Sequence, residues 1–74
     1  MKALYIILER IAEAEYGYGG WTGREEERVE VLGFVESEEE ARAKVKELSQ
    51  GSEKRAKKLG YRWVEYEYEL IFRL

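Results

Sequence analysis

Apolar residues change their spacing along this chain, and the changes mark out its elements. From Ala3 to about Tyr16 the residues favour a strand. Leu4 to Leu8, with Tyr5 inside the run, is continuously apolar, which predicts burial on both faces and a central position in a sheet. Gly17 to Gly23 reads as a glycine-rich loop holding Tyr18 and Trp21. Roughly Glu25 to Glu36 reads as a second strand, with Val29, Val31 and Val35 alternating against Glu30, Leu32 and Phe34. The first two strands therefore form a hairpin with a longer loop.

At Ser37 the period becomes helical. Ser37 with Glu40 three positions on is a capping box, and three glutamates in the first turn suit the helix dipole. Ala41, Val45 and Leu48 fall on one stripe, which continues at Ala56 and Leu59. Gly51 breaks or kinks the helix, Ser52 is placed to cap it again, and Glu53 to Leu59 makes a second short piece. Gly60 suits the position after a helix end. Tyr61 to Leu74 reads as the third strand.

These elements predict an α+β fold of type ββαβ. One domain over residues 1–74 carries a three-stranded antiparallel sheet of order 2-1-3, with one helix, kinked at Gly51, packed on one face. The crossover is expected to be right-handed. Charges suggest a register in which Arg10 faces Glu30 and Glu67, because like charges directly opposite are unfavourable. Ile7 and Ile11 then lie near Gly33 and Val29 on one side, and near Leu70 and Tyr66 on the other. The helix-bearing face would hold Tyr5, Ile7, Ile11, Val29, Val31, Val35, Val64, Tyr66, Tyr68, Leu70 and Phe72. Glu9 is the odd member of that face, and lies near the helix edge or is hydrogen-bonded by Tyr68. The second face would hold Leu4, Ile6, Leu8, Leu32, Phe34, Trp63 and Ile71, ringed by Arg10, Arg28, Glu30, Glu65, Glu67, Glu69 and Arg73. One helix cannot cover both faces. An exposed apolar patch rimmed by charge usually marks an interface, unless long Arg and Glu stems lie over it.

Composition narrows the chemistry. The 74 residues allow one core, and a domain of this size buries only about 60% of the surface its unfolded chain exposes. Cysteine and histidine are absent, which removes thiolate and imidazole chemistry and the usual zinc sites. No catalysis, metal or cofactor is expected. The net charge of −3 gives no global attraction to nucleic acid or acidic lipid. The apolar run at Leu4 is too short to span a bilayer, and Glu9-Arg10 interrupts it too early for a signal peptide. A cytoplasmic location is the default expectation.

Proline, aspartate and asparagine are absent too, so glycine and serine make the turns. Segments such as Ser37-Glu38-Glu39-Glu40-Ala41-Arg42-Ala43-Lys44 are built from strong helix formers. In this style the whole chain resembles a de novo designed α/β mini-protein, which implies an idealised, thermostable scaffold that needs no ligand. A hyperthermophile chain enriched in Glu, Lys and Arg has a similar balance. Leu32-Gly33-Phe34-Val35-Glu36-Ser37-Glu38-Glu39-Glu40-Ala41 is similar to the strand-end and helix-start pattern of small uncharacterised phage and bacterial proteins. Some such phage proteins inhibit host defence, which implies an inhibitor of a nucleic-acid-processing enzyme.

Three clusters invite functional readings. Glu65, Glu67 and Glu69 form a row about 7 Å apart on one strand face. A two-carboxylate acid/base site needs a cleft, a mimic of DNA phosphates needs a basic protein partner, and the commonest explanation is a solvated strand face. Lys54, Arg55, Lys57 and Lys58 could meet phosphates, but such cations ordinarily stabilise a helix C-terminus. In Tyr16-Gly17-Tyr18-Gly19-Gly20-Trp21-Thr22-Gly23 no Lys-Ser/Thr pair and no helix follow, which argues against a phosphate loop. Its aromatics are either interface anchors or a hairpin tip folded back on the sheet. Base stacking is opposed by the surrounding glutamates.

The leading expectation is a non-catalytic protein-binding module. Leu8, Leu32, Phe34, Trp63 and Ile71 would supply the sheet contact, with Tyr18 and Trp21 at the loop. The partner would be another protein or a second copy of the chain, with nucleic acid, membrane and small-molecule substrates not expected.

Overall fold

β1 (Ala3–Gly17) is the central strand, as its unbroken apolar run requires, with β2 (Gly20–Val35) and β3 (Trp63–Arg73) antiparallel to it on either side. The computed structural model describes residues 3–73. Met1, Lys2, the side chains of Glu15 and Tyr16, and Leu74 at the expected end of the third strand lie outside the described residues. The helical region divides into α1 (Glu38–Gln50) and α2 (Ser52–Leu59), both on one face of the sheet.

Local signals act where expected. The Ser37 hydroxyl accepts from the Glu40 amide at 3.1 Å and starts α1. Gly60, at φ 76°, ends α2 in the left-handed conformation that glycine adopts without a Cβ penalty. Gly51 separates the helices. Ser52 does not recap α2; its hydroxyl donates back to the Ser49 carbonyl at 2.9 Å. Leu59 turns outward at the helix end and is not part of the buried stripe.

Each helix covers its own half of the buried face. Under α1, Tyr5, Ile7 and Ala41 form a core, joined by Val35, Val45, Leu48 and Tyr68. Under α2 the core is Ile11, Ala56 and Val64, joined by Tyr61 and Tyr66. Ala41 and Ala56 are the buried helix positions, and their small side chains let the helices lie close to the strands.

Between these halves lies Glu9, 2% exposed. The Arg55 guanidinium donates to its carboxylate at 2.9 and 3.4 Å, and the Tyr66 hydroxyl donates at 2.7 Å. Tyr66, not Tyr68, is thus the partner, because it sits directly across from Glu9; Tyr68 instead donates to Glu38 at 3.2 Å. Arg55 leaves the basic cluster of α2 to make this pair, while Lys57 and Lys58 remain in the last turn, where they suit the dipole.

The register differs from the charge-based expectation on both sides. On β3, Glu65 faces Arg10, and Glu67 faces Leu8, so Glu67 reaches Arg10 as a diagonal ion pair at 2.7 Å. That two-residue shift keeps every face. On β2 a bulge inserts one extra residue: Ile7 pairs with Gly33 but Leu8 pairs with Val31, leaving Leu32 between them. Beyond the bulge Val29 opposes Arg10, and Arg28 opposes Ile11. Val29 and Val31 therefore leave the helix-bearing face, and Arg28 and Glu30 join it. The expected charge rule fails outright at Glu9, which faces Glu30. Arg55 and Tyr66 compensate Glu9, and Glu30 is exposed. A second bulge on β3 leaves Ile71 between the Leu4–Phe72 and Tyr5–Leu70 pairs, so Phe72 moves to the other face.

The expected loop is mostly strand. Gly17 pairs with Gly20, so the turn is only Tyr18-Gly19, with Gly19 at φ 107°. Because β3 stops pairing at Ala12, the hairpin projects beyond it as a two-stranded arm. The molecule measures 55 × 22 × 14 Å, and its radius of gyration of 15.2 Å exceeds the value of about 11 Å for a compact chain of this length.

Two measurements check the Glu9 cluster. Arg55→Ala leaves a buried carboxylate one donor short and lowers unfolding free energy by about 1–3 kcal/mol in denaturant titrations; the Glu9→Leu/Arg55→Met double variant recovers most of that loss. Burial, and then the hydrogen bond to Glu9, push the Tyr66 phenol from 10.0 up to about 12. The neutral phenol is thus favoured in the folded state, and stability falls as pH rises from about 10 to about 12. Tyr66→Phe loses less stability across that window than the wild-type chain.

Candidate functional site

The sheet face away from the helices is built from alternate residues of all three strands. β1 supplies Leu4, Ile6, Leu8, Arg10 and Ala12, and the pairing sets Phe34, Val31, Val29 and Glu27 beside them on β2. On the β3 side stand Phe72, Glu69, Glu67, Glu65 and Trp63. The most exposed apolar groups run along β2: Phe34 at 57%, Val31 at 55% and Val29 at 51%. Along β1 the same face is better covered. Leu8, flanked by Val31 and Glu67, is only 8% exposed, and Ala12, flanked by Glu27 and Trp63, is fully buried.

The residues expected to form one site divide into four places. Leu8, Phe34 and Trp63 do share the open face. Leu32 does not: as the bulge residue it lines a groove with Glu9, Leu48, Gly51, Arg55 and Tyr66, on the helix side. Ile71 is the bulge residue of β3, the opposite edge strand, and is 46% exposed. Tyr18 and Trp21 lie on the arm. Eleven β1 positions separate Ile6, which faces Phe34, from Gly17 at the turn; at about 3.4 Å per residue that is over 30 Å. Val29, Val31 and Phe72 belong to the face and were not expected there. Gly33 beside Leu32 was the available signal, since a glycine inside a strand often marks a bulge.

The arm is tied down at its base. A two-stranded ribbon is marginal alone in water. Here the Arg62 guanidinium lies over the face of Trp21 at 4.3 Å and pairs with Glu25 at 3.2 Å, while the Trp63 indole donates to Glu25 at 3.4 Å. On the other side Arg28 bridges Glu13 at 2.8 Å and donates to the Tyr61 hydroxyl at 3.2 Å. The Trp21 indole donates to the Arg24 carbonyl at 3.0 Å, beside Gly23 at φ 86°. Trp21 thus folds back onto Arg62, whereas Tyr18 stands fully exposed at the tip.

Electrostatically the face is acidic. Arg10 is held by Glu67 through a charge-assisted hydrogen bond, which raises its pKa, with Glu27 and Glu69 adding to the effect. The outer edge of β2 is a different surface. Its charges at Arg24, Glu25, Glu26, Glu27, Arg28 and Glu30, and its bulge, discourage another strand from pairing there. Among the described residues no helix is long and apolar enough to cross a membrane, and no group of carboxylates is arranged to hold a metal ion.

Phe34→Ala removes an exposed ring and changes unfolding free energy by less than about 1 kcal/mol. Ile11→Ala, at a position 1% exposed, costs about 2–5 kcal/mol. Paired thermal and denaturant melts of the two variants check the assignment of open face and core. The chain matches no protein-family model, no curated protein and no solved structure.

Proposed function

We propose that this chain is a non-catalytic protein-binding module whose contact surface is the open sheet face, extended by the aromatic arm. The observation that carries the reading is the run Val29, Val31 and Phe34, three large apolar side chains each about half exposed on a face that no element among the described residues covers. Three such neighbours form a contiguous patch of the kind that marks interaction sites.

Tyr18 adds an exposed aromatic of the type enriched at interface hot spots. Trp63 is a poorer probe of binding, since its ring is half-buried beside Ala12 and bonded to Glu25.

The test compares the wild-type chain with a Val31→Asp/Phe34→Asp variant, both first shown to melt alike. Immobilised wild-type chain is expected to retain a defined set of proteins from a lysate that the variant does not, and the native mass of the complex gives the stoichiometry. Equal retention by both chains would overturn the reading.

A further inference from the structure

The open face is chemically lopsided in a way that selects its occupant, an inference that rests on the protein-binding reading above. Its apolar positions lie on β1 and β2, from Ile6 and Leu8 to Val29, Val31 and Phe34. Its acidic positions lie on β3, where Glu65, Glu67 and Glu69 face Arg10, Leu8 and Ile6 in turn and follow one another at about 7 Å. Among the described residues Arg10 is the one cation that strand pairing brings to the middle of this face, and Glu67 already holds it at 2.7 Å. Glu27, Glu65 and Glu69 form no salt bridge among the described residues. Cations gather on the other side of the sheet, as Lys54, Lys57 and Lys58 do on α2.

This distribution disfavours a second copy. A two-fold dimer through the open face repeats the same patch on both partners, so the acidic row of one copy meets either the same row of the other or the valines of β2, and in neither case a row of cations. A head-to-tail contact would bring the basic side of α2 to the face, but that surface offers the single exposed apolar residue Leu59 to an apolar strip spanning two strands.

We infer that the open face takes an amphipathic helix of a partner protein, with its apolar stripe over β1 and β2 and a row of lysines or arginines over Glu65, Glu67 and Glu69. The outer strands of a three-stranded sheet lie about 10 Å apart, which matches the width of a helix; successive helical turns place cations about 5.4 Å apart, and long lysine or arginine stems span the difference from the roughly 7 Å of the glutamate row. The sheet already takes α1 and α2 in this way on its other face. Binding through such a groove draws affinity from the apolar stripe and selectivity from the charges.

The probe is a synthetic helix of about 18 residues, five turns, with a leucine stripe flanked on one side by lysine; a second peptide carries glutamate there instead. Binding is followed by calorimetry to the whole chain, with sedimentation of the chain alone. The lysine peptide is expected to bind, to weaken on raising the salt, and to lose roughly tenfold in affinity in Glu65→Lys/Glu69→Lys and again in Phe34→Ala. The glutamate peptide is expected not to bind. If both peptides bind equally and Phe34→Ala weakens both, the acidic row does not select the partner: this inference falls while the protein-binding reading stands. If the charge variant matters and Phe34→Ala does not, the attraction is charge alone and the helix-in-groove geometry is wrong. Self-association of the chain that Phe34→Ala abolishes would make a second copy the occupant and also overturn the inference.

Discussion

A carboxylate buried in the middle of the helix-bearing face is the constraint around which this small fold is arranged. Glu9 occupies the position between Ile7 and Ile11, where an apolar residue would have made one continuous core. An uncompensated charge there would be strongly unfavourable. The chain meets it from two directions, with Tyr66 across the β1–β3 ladder and Arg55 from α2. Both donors need particular placements. Tyr66 requires the observed β3 register, and Arg55 requires α2 to start where it does. The break at Gly51 lets α1 cover the Tyr5–Ile7 cluster and α2 the Ile11–Val64 cluster, with the ion pair between them.

A bulge decides what the opposite face presents. One extra residue at Leu32 reverses the side on which the β2 residues before it, from Val31 back to Glu25, point, because strand side chains alternate with a period of two. Val29 and Val31 thereby become part of the open face, and Arg28 becomes free to bridge Glu13 and Tyr61 at the base of the arm. The same event leaves Leu32 in the groove beside Leu48 and Arg55. The face that carries the proposed function and the tether that steadies the hairpin thus share one cause.

Charge is separated across the sheet. Net charge hides this, since the acidic sheet face and the basic second helix offset one another within the total of −3. The separation, together with the length of 55 Å, gives the molecule two unlike long surfaces. A surface with apolar residues along one margin and glutamates along the other is suited to a ligand that is itself amphipathic.

The sequence by itself determined the element order, the central place of β1, the cap at Ser37, the break at Gly51 and the stop at Gly60. Each depends on a few neighbouring residues: an unbroken apolar run, a hydroxyl before three glutamates, a glycine at a helix end. It also pointed correctly to an uncovered sheet face holding Leu8, Phe34 and Trp63. Only the tertiary structure decided which donors reach Glu9, where the extra residues of β2 and β3 are absorbed, and that Gly20 to Gly23 continue a strand rather than a loop. Local charge matching favoured Arg10 opposite Glu30, yet Glu9 takes that place. The energy that settles the register comes from burying Ile7, Ile11 and Val64 under two helices and from satisfying Glu9, contacts made between residues far apart in the chain. A single-residue slip changes little locally but exchanges whole faces, so the identity of the exposed patch became legible only when all three strands and both helices were in place.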